Sequence, residues 1–358
     1  MKKYSVIIGS GNYIPTVVVK NEDFLKNDFY DSSGVKFDIP NEEIIGKFEK
    51  ITGIKERRHV TDDLVTSQIS TFAAEDALNS SGVDKETLDY IIVAHNFGDV
   101  HKGTTIPDFV PSIAARVKRN LSIENPFTVA FDIPFGCPGW VQGSILADYF
   151  IKSGDAKRVM VIGSDTLSRI SDPYDRDSMI YADGAGAVIF EAVDSDEPVG
   201  ILSHMTRSDT LNHAKLMWMA ESFNKDYKEK DLFIKMNGHR LYDYALTNVP
   251  PLVKATIEKA GLTLKDINKV FIHQANEKMD VEMLKRLFKL YGEQQVDFGV
   301  MPMTISWLGN SSVATVPTIY DLVVKGKMEG HKFSKGDNAV FVSVGAGMNI
   351  NTFAYREV

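Results

Sequence analysis

Asp89-Tyr90-Ile91-Ile92-Val93-Ala94-His95 is a short apolar run closed by a polar residue, and Lys269-Val270-Phe271-Ile272-His273-Gln274 repeats that design far down the chain. Runs of this length, rich in Val and Ile and bounded by polar groups, read as strands buried on both faces. Each is followed by a helical stretch and later by another apolar strand, at 158–163 in the first half and 339–344 in the second. Strands that alternate with helical patterns belong to an α/β protein with parallel strands. The strands expected are 4–8, 90–94, 127–132, 159–163, 187–191, 270–273 and 340–344. Helices are expected at 67–80, 111–120, 140–153, 241–260, 279–290 and 312–325, where apolar residues recur at three-to-four spacing. The repeated plan predicts two related halves, 1–195 and 196–358, joined at the acidic, proline-ended stretch 194–198.

Composition narrows the function classes. A chain of 358 residues with 44% hydrophobic content can bury a large core. Its formal charge of −8 disfavours nucleic acid or an anionic membrane as the main partner. One cysteine permits no internal disulfide and fits a reducing cytoplasm. The apolar stretch near the start is too short for a signal-peptide core, and no segment approaches the ~20 apolar residues of a membrane span. The expectation is a cytoplasmic protein with no nucleic acid partner and no membrane insertion.

That single cysteine, Cys137, lies in Phe135-Gly136-Cys137-Pro138-Gly139-Trp140, where an extended run breaks and a helix begins. A helix N-terminus favours negative charge and so lowers a thiol pKa, which makes Cys137 a candidate nucleophile; the plainer alternative is a buried apolar cysteine. His273 stands where a strand ends, the place where open α/β sheets bind ligands. Asn310, in Leu308-Gly309-Asn310-Ser311-Ser312, precedes an apolar helical run and by itself reads as a helix cap. Ser343-Val344-Gly345-Ala346-Gly347-Met348 reads as a strand and a tight turn of small residues. Cys, His and Asn in this order also occur in papain-like proteases, but the signature those enzymes carry around the nucleophile needs a second cysteine.

Taken together, Gly136-Cys137-Pro138-Gly139, His273-Gln274-Ala275-Asn276, Gly309-Asn310-Ser311-Ser312, Gly163-Ser164-Asp165, Asp172-Pro173-Tyr174-Asp175-Arg176, Asp183-Gly184-Ala185-Gly186-Ala187 and Thr52-Gly53-Ile54 resemble the thiolase superfamily, most closely its β-ketoacyl-acyl-carrier-protein synthase III branch. The resemblance implies a thiolase-like α/β fold, two related five-stranded β-α halves in a five-layered α-β-α-β-α arrangement, with the nucleophile in the first half and His273 and Asn310 in the second. It also implies the chemistry. Cys137 takes an acyl group from a thioester, and a malonyl thioester then loses carbon dioxide and condenses with it. His273 and Asn310 donate to the enolate oxygen, and the backbone N–H groups of Cys137 and Ala346, between Gly345 and Gly347, hold the tetrahedral oxyanion.

Relatives are separated by their residues. Thiolases use a second cysteine, the elongating synthases a Cys-His-His set, and hydroxymethylglutaryl-CoA synthases a glutamate where the stretch 104–110 offers only Asp108. Chalcone-synthase-like enzymes, an acyltransferase to oxygen or nitrogen, and a non-catalytic condensing partner stay open as alternatives. No cofactor is implied beyond the phosphopantetheine thioesters of CoA or acyl-carrier protein that serve as substrates. Arg176 and Lys278 match substrate-binding positions, whereas Lys47 and Ile51 stand where the family has a tryptophan and an arginine for the CoA adenine. Lys278, Lys285, Arg286 and Lys289 form a candidate basic face for the carrier protein. Val110 matches a position that crosses a homodimer interface and closes the partner's acyl pocket, so a small side chain there predicts room for longer or branched primers.

Overall fold

The computed structural model describes residues 1–358. Its first half runs β1 (Lys2–Tyr13), β2 (Val17–Lys20), α1 (Asn41–Thr52), β3 (Glu56–His59), α2 (Thr66–Ser81), β4 (Tyr90–His95), α3 (Ile113–Asn120), β5 (Val129–Pro134), α4 (Gly139–Ser153), β6 (Arg158–Thr166) and β7 (Asp183–Ser195). The second runs β8 (Gly200–Ser208), α5 (Thr210–His213), β9 (Met217–Ala220), β10 (Phe233–Met236), α6 (Gly238–Lys259), β11 (Ile267–Ile272), α7 (Glu277–Leu290), α8 (Ile305–Leu308), α9 (Thr315–Val324), β12 (Asn338–Gly345) and β13 (Asn349–Arg356).

The internal repeat is visible in the sheet orders. The first sheet is β1-β7-β6-β4-β5 and the second is β11-β12-β13-β8, so β1, β7, β6 and β4 correspond to β8, β13, β12 and β11. In both, the strand that opens the half is antiparallel to the strand that closes it, while β4–β6 and β11–β12 are parallel. The second sheet has four strands rather than the five expected. The counterpart of β5 is the segment 296–304, whose polar groups are taken elsewhere. Asp297 caps a short 3₁₀ turn, Lys269 Nζ donates to the Gly299 carbonyl at 3.0 Å, and Gln274 Nε2 donates to the Pro302 carbonyl at 2.7 Å. No ladder forms because Pro302 lacks an N–H and its neighbours are already satisfied.

Hydrophobic burial arranges these elements in layers. Helices α4 and α9 lie between the sheets, in a core that joins Trp140, Val141 and Ile145 to Ile319, Tyr320 and the stacked pair Phe341–Phe353. Helices α2 and α3 cover the outer face of the first sheet, and α6 and α7 that of the second. The order is α-β-α-β-α. Sandwiching α4 in apolar surroundings on both sides aims its N-terminus, and the Cys137 that precedes it, at the ends of the strands rather than at bulk solvent. The strand expected at 127–132 starts two residues later, and the helix expected from residue 111 begins at Ile113 with Ser112 as its cap.

Candidate active site

Cys137 sits between β5 and α4. The Gly139 N–H donates to the Gly136 carbonyl at 2.9 Å, which folds the loop so that the thiol lies at the first turn of α4, buried. The turn after β12 presses against it from the other half. A Cβ at Gly345 would fall 2.9 Å from the Cys137 Cβ, and one at Gly136, whose φ is +75°, would meet Ala346 at 3.3 Å. Glycine at both positions is what allows the Ala346 N–H to approach the nucleophile loop. Left-handed backbone in this turn falls on Gly347 and Met348, not on Ala346, so the alanine is accommodated without strain.

The segment His273-Gln274-Ala275-Asn276 does three jobs at the end of β11. The His273 N–H continues the parallel ladder to the Val342 carbonyl at 2.9 Å, which fixes where the buried imidazole starts. Gln274 accepts from the Thr304 and Ile305 N–H groups at 2.8 and 3.1 Å, locking the strand end to the start of α8. Asn276 accepts from the Met279 N–H at 3.1 Å and caps α7. From α8 the chain reaches Asn310, whose backbone is stitched to 180–182 by two hydrogen bonds, Asn310 N–H to the Ile180 carbonyl at 3.0 Å and Ala182 N–H to the Asn310 carbonyl at 2.9 Å. Its side-chain Oδ1 accepts from the Ser312 N–H at 2.8 Å, which leaves the amide N–H groups free to donate. The capping reading of Asn310 therefore fails, since α9 starts at Thr315 without any side-chain cap.

Cys137, Asn310, Ser312 and Ala346 line one cavity of about 360 Å³, with Phe97, Phe135, Leu167, Met217, Trp218 and Ile234 among the apolar walls. His273 is in contact with the backbone of Ser312, one of the residues lining that cavity. Burial pushes its imidazole down to about 4, with the Ser312 backbone acting the other way, so the ring is neutral at physiological pH. The thiol departs from expectation. Burial outweighs the favourable Ser312 hydroxyl and pushes Cys137 up to about 11, with Asp165 adding to the rise. A helix N-terminus alone does not make a fully enclosed sulfur a thiolate, because the charged form loses its water.

Other expected binding residues lie outside the cavity lining. Arg176 places its guanidinium 5.3 Å over the Phe37 ring, Lys278 is exposed in the first turn of α7, and Val110 is 86% exposed. Lys285 and Lys289 are exposed, while Arg286 is held by Glu282 at 3.1 Å and by the Leu246 carbonyl. Lys47 pairs with Glu43 at 2.6 Å and Ile51 points outward, 53% exposed. No group of three or more His, Cys, Asp or Glu side chains is placed to hold a metal ion, and no helix is long and apolar enough to cross a membrane.

Two features are absent from the sequence reading. Asn96, just past β4, and Asp165, at the end of β6 in the Gly163-Ser164-Asp165 stretch, flank Ser312. The hairpin β9–β10 forms the outer wall of the cavity and is anchored by Lys235, whose Nζ lies 2.5 Å from Asp172 and 3.1 Å from Asp175.

Known proteins match this architecture along its length. Residues 131–210 fit the family described as 3-oxoacyl-[acyl-carrier-protein (ACP)] synthase III, and residues 257–356 fit its C-terminal part. The β-ketoacyl-[acyl-carrier-protein] synthase III of Ehrlichia canis is 32% identical, over 99% of both chains. A synthase III of Vibrio vulnificus is 33% identical over 96% of each. Among solved structures, that of the Thermus thermophilus synthase III superposes with a TM-score of 0.81 over 99% of both chains at 28% identity.

Proposed function

The chain belongs to the 3-oxoacyl-[acyl-carrier-protein] synthase III family of condensing acyltransferases, and from that premise we propose that Cys137, His273 and Asn310 are its catalytic set. The observation that carries the reading is the shared chamber: the sulfur, the Asn310 carboxamide and the Ala346 turn meet around one largely apolar cavity, with the His273 ring against the backbone of Ser312.

Cys137 Sγ attacks the carbonyl of an acyl thioester, and the donor thiol leaves with the proton that the cysteine gives up. Because the resting thiol is neutral, deprotonation accompanies attack rather than preceding it. The backbone N–H groups of Cys137 and Ala346 face the oxyanion of this step. A malonyl thioester then occupies the site, and its carboxylate leaves as carbon dioxide. Negative charge develops on the thioester oxygen, where the neutral His273 imidazole and the Asn310 amide donate N–H groups. The nascent carbanion attacks the acyl-cysteine, forming the new carbon–carbon bond and expelling the Cys137 sulfur, which takes up a proton. The product is a 3-oxoacyl thioester.

Lys47 and Ile51, one tied up with Glu43 and the other apolar, favour a carrier-borne phosphopantetheine donor over free CoA. Lys278 at the start of α7, with the exposed Lys285 and Lys289, is the face we assign to the acidic carrier. Reversal of charge at Lys278 should raise the KM for malonyl-carrier protein with little change in kcat. The decisive test is intact-protein mass spectrometry after incubation with matched acyl-CoA and acyl-carrier donors. An acyl adduct on the native protein that vanishes in Cys137→Ala supports the reading. No adduct from any donor points instead to a non-catalytic condensing partner, and an adduct without carbon dioxide release from malonyl thioester points to plain acyl transfer.

A further inference from the structure

Ser312 touches every member of the proposed set. Its N–H holds the Asn310 carboxamide at 2.8 Å, its backbone faces His273, and its hydroxyl lies 3.4 Å from the Cys137 sulfur. The residue takes a left-handed φ of +53°, a conformation uncommon for serine, and that backbone geometry serves all three contacts.

The direction of the hydroxyl bond follows from its neighbours. Asn96 places its backbone N–H 2.8 Å from Asp165 Oδ1, and its side-chain Nδ2 lies 2.5 Å from Asp165 Oδ2 and 2.9 Å from Ser312 Oγ. An amide nitrogen carries two protons. One goes to the buried carboxylate and the other to the serine oxygen, so Ser312 Oγ is an acceptor from Asn96 and its single proton is left for Cys137 Sγ at 3.4 Å, with the Asp165 carboxylate, already served by Asn96, as the competing acceptor. Asp165 is fully enclosed at the end of β6, which leaves the Asn96 amide little reason to turn over. From this polarity we infer that Asp165, Asn96 and Ser312 form a directional hydrogen-bond chain ending as a donor on the Cys137 sulfur, with Ser312 a further catalytic residue and the other two positioning residues.

The inference rests on Cys137 being the nucleophile. A fixed O–H donor stabilises sulfur whenever it carries charge. That occurs twice in the cycle, as the thiol loses its proton to attack and as the acyl-cysteine expels it after condensation. It also offsets part of the burial that raises the thiol. The ionisable groups around the sulfur are Asp165 from β6, Tyr181 from the segment before β7 and His273 from the end of β11, with His95 from β4 facing Asp165. None of them donates a hydrogen bond to Sγ; the groups that stabilise it locally are the Ser312 hydroxyl, the larger contributor, and the Cys137 backbone N–H.

Iodoacetamide alkylation of the protein's only cysteine measures this bond without any substrate. If the donor lowers the thiol pKa by about one unit, Ser312→Ala holds tenfold less thiolate at pH 8. The more basic sulfur is also more nucleophilic, so net alkylation slows about three- to fourfold. Asn96→Ala, which frees the serine hydroxyl to turn away, should also slow alkylation, and the double variant should be no slower than Ser312→Ala, because one chain is being broken twice. Thermal melts of each variant report folding separately. Alkylation as fast as native or faster in Ser312→Ala overturns the proposal, as does an Asn96→Ala variant with native kinetics. Failure of the catalytic reading shows differently, as absence of an acyl adduct in native protein whose alkylation still responds to both substitutions.

Discussion

At the scale of single residues, His273 and Asn310 should separate the two half-reactions. Both are assigned to the enolate oxygen, while the acylation oxyanion is left to backbone N–H groups. Replacing either by alanine should reduce carbon dioxide release from the malonyl thioester by ~10²–10³-fold, the usual loss for one such donor. Formation of the acyl adduct should fall far less. Stopped-flow acylation beside ¹⁴CO₂ release checks this, and equal losses in both steps would sink the division of labour. The activity of the native enzyme should not fall on the acid side until well below neutrality on account of His273, since burial holds the imidazole near 4. Asp165, pushed up to about 6 by burial, is the carboxylate beside the sulfur whose protonation should be felt as the pH falls below neutrality.

Asp280 shows what a residue outside the site contributes. It is fully buried in the first turn of α7, and its carboxyl has no well-formed hydrogen bond, only a weak contact with the Asn276 backbone. Burial, reinforced by Glu277, raises its pKa well above the ordinary carboxylate value. The folded state therefore keeps a proton that the unfolded chain releases once the pH exceeds ~4, and stability declines as pH rises from there towards the folded pKa. Asp280→Leu should gain about 1–3 kcal/mol near pH 7.5, the penalty of an unpaired buried polar group, and the gain should shrink towards pH 4. Denaturant melts at both pH values give the comparison; a loss at pH 7.5 would mean the carboxyl has a partner in solution.

At the scale of elements, what could be read in advance depended on how local each constraint was. Cys137, His273 and Asn310 lie at element ends inside short distinctive stretches, so they stand out in the sequence as candidates, and the strand–helix repeat is legible there too. The roles of Gln274 and Asn276 followed only from contacts, one across to Thr304 and the other to the turn it caps. The Asn96–Ser312 bond spans 216 positions and leaves no spacing to recognise. Enclosure of the thiol was equally invisible, because burial on all sides is a property of packed layers. The hairpin β9–β10 was missed because its strands are four residues each and only half-buried, without a run long enough to register.

That hairpin is held by an ion cluster rather than by apolar packing alone. Lys235 on β10 is fully buried between Asp172 and Asp175, lies 3.4 Å from the centre of the Phe223 ring, and Asp172 also accepts from the Phe223 N–H at 2.9 Å. Asp177 nearby is pushed up to about 7 by burial and by Asp175. Removing the ammonium in Lys235→Met leaves several carboxylates enclosed without a cation, a defect of about 3–5 kcal/mol. The variant should melt well below the native protein at pH 8 and recover part of the gap at pH 5.5, where the carboxyl groups can take up protons. Because the hairpin walls the chamber, its acyl-chain selectivity should blur as well. A melting point unchanged at pH 8 would show that the cluster holds nothing.

At the scale of the whole molecule, the repeat that builds the five layers leaves one edge unfinished. In the first sheet β5 pairs only with β4, and its outer edge faces outward beside Phe127, 83% exposed, and Val129, 48% exposed. Next to it the loop before α3 carries Ile106, 73% exposed, and Val110, 86% exposed. That loop is braced, since Arg116 bridges Asp99 at 2.6 Å and Asp108 at 2.8 Å, so its apolar tip is presented rather than collapsed. An uncovered apolar strand edge is a site for pairing with another chain, and a two-fold arrangement of identical chains covers both copies at once. We propose that the expected homodimer forms through this edge, with the β5 strands of two copies in contact. Val129→Lys should then convert the dimer to monomer in light scattering. If the partner's Val110 closes the acyl chamber, that monomer should also lose condensing activity while still folding. Val110→Phe should keep the dimer and shift preference towards the shortest primers. A Val129→Lys protein that remains dimeric, or a Val110→Phe protein with native chain-length selectivity, would place the interface or the chamber wall elsewhere.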